Sequence, residues 1–103
     1  MTPAVLHILL SLAAEDRHGL GIAADVKAFT QGRLTFGPGT LYGTIKRLLD
    51  AGLIQDLGQP HGEQDDPRRR YYRITVKGRR ALEREAETLT STLAVARRRL
   101  KTS

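Results

Sequence analysis

Residues 38–54, PGTLYGTIKRLLDAGLI, contain the strongest structural signal in the chain. Pro38 suits the first turn of a helix, and Gly52 is a typical residue at a helix end. Between them, apolar residues recur at positions i, i+4, i+7 and i+8, the spacing of one buried helical face: Leu41, Ile45, Leu48 and Leu49. The segment therefore predicts an amphipathic helix whose opposite face is polar, basic and rich in small residues.

Two further helices are predicted before this segment. Thr2 and Pro3 have the order of an N-cap and a first-turn proline, and apolar residues then recur at helical spacing as far as Ala14. A second apolar periodicity follows a polar turn at residues 15–19 and ends near Gly32. His18, at the start of that helix, is interpreted as a structural residue, because no other metal ligand stands at a suitable spacing.

A β-hairpin is predicted after the three helices. Residues 53–57 and 69–75 favour strands, and the turn-rich stretch 58–67 between them is too short to contain a helix. Side chains alternate along a strand, so only one of Tyr71 and Tyr72 faces the core, and the sequence leaves open which one. Three helices followed by a hairpin is the order of a winged helix-turn-helix.

The C-terminal segment predicts a long helix with Thr75 as its N-cap. Its apolar residues are spaced four and three apart, as in a heptad repeat: Leu82, Ala86, Leu89, Leu93, Ala96 and Leu100. A domain of this size has little apolar surface against which such a narrow seam could be buried. We therefore expect the seam to pack against a second copy of the chain; burial within the same chain is the alternative. The predicted organisation is a winged-helix domain at residues 1–75 and a dimerisation helix at 76–103, in one compact unit that is mainly α with a small β-hairpin.

The composition indicates a polyanionic partner and argues against several other classes. The chain has 17 Lys and Arg against 11 Asp and Glu, and residues 67–103 alone carry 12 basic and three acidic side chains. There is no cysteine, which excludes disulfides and thiolate chemistry and is compatible with the cytoplasm. The apolar stretch at 4–14 is too short to span a membrane. We expect no enzyme activity, cofactor or metal site, since no nucleophile–base arrangement or phosphate-binding glycine loop is evident.

The chain resembles the PadR family of bacterial transcriptional regulators over nearly its whole length. The resemblance lies in blocks that occur in order: His18-Gly19, Pro38-Gly39-Thr40-Leu41-Tyr42, Lys46-Arg47-Leu48, Gly52-Leu53-Ile54, Arg70-Tyr71-Tyr72-Arg73-Ile74-Thr75, Gly78-Arg79 and Ala81-Leu82. Leu20 and Gly43 depart from the tyrosine and the proline that are usual in the family. We expect a homodimer that binds a pseudo-palindromic DNA operator and represses transcription by blocking polymerase. The resemblance further implies a small-molecule effector, which no residue here identifies.

The polar face of the third helix is the candidate DNA reader, because a helix fits the major groove, where base edges are distinguishable. Its candidate residues are Pro38, Thr40, Tyr42, Gly43, Thr44, Lys46 and Arg47. The wing candidates, for the DNA backbone or the minor groove, are Arg68, Arg69 and Arg70.

Simpler interpretations stand beside these assignments. The threonines fit an ordinary solvated face, Tyr42 fits partial burial against the wing, and the arginines fit an edge strand that must stay soluble. At the level of function, the alternative is a winged-helix interaction module that docks an acidic protein.

Overall fold

The computed structural model describes residues 1–59 and 69–101. These contain four helices, α1 (Pro3–Ala14), α2 (Gly19–Phe29), α3 (Pro38–Asp50) and α4 (Val76–Lys101). They also contain three short strands, β1 (Arg17–His18), β2 (Ile54–Gly58) and β3 (Tyr71–Ile74), which form an antiparallel sheet in the order β1-β3-β2. The predicted winged helix-turn-helix, with a long C-terminal helix, is confirmed.

Strand β1 was not predicted. The sequence pattern assigned residues 15–19 to a turn, but Arg17 and His18 pair with Tyr72 and Tyr71 of β3. A two-residue strand has no periodicity of its own and exists only because β3 lies beside it. The wing sheet is therefore closed on one side by the connection between α1 and α2.

Side chains cap three of the helix starts. The Thr2 hydroxyl accepts a hydrogen bond from the Val5 N–H at 3.2 Å, and Nδ1 of His18 accepts one from the Gly21 N–H at 2.9 Å. The Thr75 hydroxyl accepts one from the Gly78 N–H at 3.0 Å. Each bond satisfies a backbone donor that has no partner inside its own helix. The N-cap role of Thr75 and the structural role of His18 are confirmed.

One apolar core joins the three-helix unit, the sheet and the beginning of α4. Its buried members are Ile8, Leu9, Leu12, Ile22, Val26, Leu41, Ile45, Leu48, Ile54, Tyr72, Ile74 and Leu82. Tyr72 is thus the core-facing tyrosine of β3, and the Tyr71 ring instead packs edge-on against His18, with ring centroids 5.3 Å apart.

Helix α4 is anchored at its start and then projects outward. Nζ of Lys77 donates to the Ala51 carbonyl at 2.8 Å, and a Cβ added at Gly78 would overlap the Leu53 carbonyl, so the first turn packs directly on the end of α3. The Cα radius of gyration is 15.6 Å, against about 13 Å for a compact chain of this length. The excess reflects the protruding helix, which is about 39 Å long at 1.5 Å per residue.

The predicted heptad seam divides into two parts. Leu82 is only 9% exposed and belongs to the core of its own chain, so its assignment to a dimer interface is wrong. Beyond it, the chain leaves Leu89, Leu93 and Leu100 at 45%, 48% and 74% exposure. Among the described residues, no helix is long and apolar enough to cross a membrane.

Candidate nucleic-acid interface

The solvent-facing side of α3 contains most of the predicted reader residues. Pro38, Thr40, Gly43, Lys46 and Arg47 are all exposed, and positions 40, 43 and 47 follow one another at helical spacing. A Cβ built on Gly43 meets no atom within 4 Å. The face is therefore smooth near its N-terminal end and basic near its C-terminal end.

Thr44 does not belong to this face, and its predicted contact with DNA is wrong. Its side chain is fully buried, with 0% exposure, and its hydroxyl donates to the Thr40 carbonyl at 2.7 Å. Nη2 of Arg47 donates to the same hydroxyl at 3.2 Å. Thr44 stands three residues after Leu41 and four before Leu48, so helical periodicity was the available signal for its burial. By accepting this hydrogen bond, the Thr44 hydroxyl restrains the Arg47 side chain from the buried side of α3.

Tyr42 also differs from the prediction. Its ring lies over the first turn of α2, where a Cβ added at Gly19 would come within 2.8 Å of the tyrosine ring and hydroxyl. The hydroxyl is buried and has no hydrogen-bond partner among the described residues. A buried hydroxyl does not reach DNA, so Tyr42 connects α3 with α2 by packing, and its assignment to the DNA-reading face is wrong.

The base of the wing holds an ion pair that the sequence analysis missed. Nε of Arg70 donates to Oδ2 of Asp56 at 2.9 Å, and the other carboxylate oxygen accepts the Gly58 N–H at 2.7 Å. The hydrogen bond and the charge of Asp56 raise the pKa of Arg70. Arg69 is exposed, and Arg68 lies outside the described residues. An acidic residue in the first predicted strand, with a run of arginines where the second one begins, was the signal available in the sequence.

A second ion pair ties β3 to the turn after α1. Arg73 holds Asp16 through three hydrogen bonds, of which the shortest, from Nη2 to Oδ2, is 2.7 Å. This hydrogen bonding lowers the pKa of Asp16 below its ordinary value of 3.8. The pair joins residues 57 positions apart in the chain, so it forms only when β3 packs beside the turn after α1.

The described residues thus form a winged helix-turn-helix in which α3 exposes a polar face and arginines stand at the base of the wing. Residues 5–84 match the sequence profile of the transcriptional regulator PadR-like family. The chain belongs to that family.

The chain is also similar to one curated protein sequence. The chain is 35% identical over 82 residues to an uncharacterized 37.1 kDa protein in transposon Tn4556 of Streptomyces fradiae; the match covers 80% of the chain and 21% of that relative. The chain thus spans about a fifth of the relative's length.

Two solved structures share the fold. A PadR family transcription regulator from Clostridium difficile is 23% identical with a TM-score of 0.80, over 96% of this chain and 99% of that one. PadR from Bacillus subtilis, solved in complex with operator DNA, is 21% identical with a TM-score of 0.69, over 80% of this chain and 45% of that one.

Proposed function

We propose that the chain is a homodimeric repressor that binds double-stranded DNA at a pseudo-palindromic operator. The family assignment and the operator complex of the Bacillus subtilis relative support DNA as the partner. The observation that carries the proposal is the exposed face of α3, which combines a smooth surface at Gly43 with cations at Lys46 and Arg47.

Helix α3 enters the major groove in this proposal. Thr40 is exposed and has the chemistry to hydrogen-bond a base edge or to contact a thymine methyl group. Lys46 and Arg47 stand about two turns further along α3 and are suited to a guanine or a phosphate. Nζ of Lys46 lies 3.5 Å from Oδ2 of Asp50, but both side chains are largely exposed. This ion pair is therefore weak and leaves Lys46 available for DNA.

The wing supplies a second contact, with the DNA backbone or the minor groove. Arg69 and Arg70 stand at its base, and Arg68 is included on the basis of the sequence alone. Each phosphate neutralised by Arg68 or Arg69 releases condensed counterions and steepens the salt dependence of binding.

The homodimer forms through the part of α4 that projects beyond the core. Its exposed seam consists of Ala86, Leu89, Leu93, Ala96 and Leu100. Partly exposed leucines at heptad spacing gain free energy when a second apolar surface covers them. The pairing separates the two copies of α3 by about 34–36 Å, one turn of DNA. Within this proposal, residues 1–75 bind DNA and residues 76–103 hold the dimer together, and repression follows because the bound dimer blocks polymerase.

Selection from a random-sequence duplex library by the purified full chain tests the function. We expect enrichment of a symmetric sequence. Replacing Arg47 with alanine is expected to weaken binding to the enriched duplex by about 1–3 kcal/mol and to relax the preference at one position in each half-site, if Arg47 contacts a base; a uniform loss on all duplexes identifies a phosphate contact. Arg84→Ala, which removes the same charge from the exposed surface of α4, is the matched control and should bind normally.

A different outcome of the same experiments would contradict the proposed DNA-binding function. If no sequence is enriched, and the chain binds an acidic polypeptide as tightly as DNA, the DNA-binding function is wrong and the chain is a protein-docking module.

A further inference from the structure

Asp56 connects the two ends of the wing. Its Oδ1 accepts the Gly58 N–H at 2.7 Å, and its Oδ2 accepts Nε of Arg70 at 2.9 Å. Between Asp56 and Gly58 the pairing of β2 with β3 is shifted by a bulge, and Gly58 has a left-handed φ of 78°. One carboxylate therefore stabilises the irregular backbone where the wing leaves β2 and holds a cation where the wing returns to β3.

The bond to Asp56 leaves most of the Arg70 guanidinium open. An arginine has five N–H donors in a rigid plane, and this pair uses the single donor on Nε. The Arg70 side chain remains 45% exposed and that of Asp56 remains 32% exposed. Asp56 thus restrains the orientation of the guanidinium through Nε and does not bond the two Nη groups at its outer edge.

We propose that Asp56 is a positioning residue that determines DNA specificity: it neutralises and orients Arg70, so that Arg70 favours the cognate site over arbitrary phosphates. This inference rests on the proposed DNA-binding function. An unrestrained arginine swings to any phosphate within reach, whereas a restrained one bonds only where the DNA presents an acceptor along its fixed direction. The carboxylate also repels phosphates that approach from other directions.

The charge of the pair makes the inference measurable. Arg70 and Asp56 together carry no net charge, so in the wild-type chain this arginine adds little to counterion release. Replacing Asp56 with asparagine frees one positive charge beside the DNA. The slope of log K against log salt should become steeper by about 0.9, which changes the ratio of the variant affinity to the wild-type affinity about 3.5-fold between about 50 mM and about 200 mM salt.

Asparagine is the informative substitution because its amide oxygen still accepts the Gly58 N–H. Asp56→Asn therefore removes the charge and keeps the backbone bond, whereas Asp56→Ala removes both. The double variant D56N/R70Q replaces a neutral ion pair with a neutral pair of amides, so its net charge equals that of the wild type. Thermal unfolding of all variants monitors the fold independently of DNA.

Two duplexes are used as probes, one enriched by the wild-type chain from a random library and one with the same bases in scrambled order. We expect D56N to bind the scrambled duplex several-fold more tightly at low salt, with the steeper slope given above, and to lose discrimination between the two. The D56N/R70Q variant should return to the wild-type slope on scrambled DNA without recovering wild-type discrimination. Fluorescence anisotropy titrations at four salt concentrations measure all of these quantities.

The results that overturn the inference differ from those that overturn the function. If the wild-type chain does not distinguish the duplexes, the proposed sequence-specific function fails. If it does distinguish them but D56N keeps the wild-type slope and discrimination, Asp56 has no role in specificity. A steep slope that persists in D56N/R70Q shows that a cation other than Arg70 is responsible. If D56N is unfolded, the test rests on D56N/R70Q alone. If that variant discriminates between the enriched and the scrambled duplex as well as the wild type does, the inference is wrong.

Discussion

Replacing Gly43 with alanine is expected to stabilise the protein and at the same time to weaken DNA binding. Gly43 lies inside α3, its φ is not left-handed, and the space at its Cβ is open. Glycine in a helix interior costs about 1 kcal/mol relative to alanine. The substitution should therefore raise the free energy of unfolding by about 1 kcal/mol, which corresponds to a rise in Tm of about 4–8 °C for a domain of this size.

The effect on DNA binding has the opposite sign because the new methyl group points toward the proposed groove contact. An extra methyl group at a close-packed surface costs about 1–3 kcal/mol, so the Kd for the enriched duplex should rise about 5- to 150-fold. Circular dichroism melting and fluorescence anisotropy measure the two effects on the same preparation.

A control variant separates helix propensity from contact with DNA. Ser91 is exposed on α4, opposite the leucine seam, and Ser91→Ala should raise Tm slightly without changing DNA affinity. If Gly43→Ala raises Tm but binds DNA as tightly as the wild type, the face around Gly43 does not pack against DNA. A fall in Tm contradicts the argument from open space.

Two further predictions concern the dimer and the wing. Leu93→Glu places a charge in the exposed seam of α4 and should convert the dimer to a monomer in sedimentation analysis. Ser91→Glu, on the opposite face of α4, should leave the dimer intact. Equal behaviour of the two variants argues against the seam as the dimer interface. Since the pKa of Asp16 is lowered by Arg73, the pair stabilises the fold above the ordinary pKa of 3.8 and the contribution disappears as the pH falls below it. Urea unfolding should accordingly show the wild type more stable than Asp16→Asn at about pH 7, with a difference that shrinks as the pH is lowered below 3.8. A difference that does not change with pH contradicts this assignment.

The sequence predicted those features that depend on neighbouring residues along the chain. The positions of the four helices followed from apolar spacing, and Thr75 was assigned as an N-cap from its place before a helical pattern. The same local logic identified the exposed leucines of α4. These features were predictable because a helix repeats every 3.6 residues and its caps are within one turn.

The burial of individual polar residues was harder to predict from the sequence. Thr44 and Tyr42 were placed on the DNA-facing side because of their polarity, yet one lies in the core and the other covers Gly19. Similarly, Leu82 follows the heptad spacing but packs in its own chain. Residue type suggests a role for a side chain, whereas the surface that covers it comes from distant segments.

The tertiary structure alone decided which residues meet across long separations. Strand β1, the choice of Tyr72 over Tyr71 for the core, the ion pair of Asp16 with Arg73, and that of Asp56 with Arg70 all depend on the register of β3 between its neighbours. A shift of one residue in that register would exchange the two faces of the strand and move its side chains away from these partners. Local periodicity contains no information about this register, because it is set by the packing of the sheet against the helices.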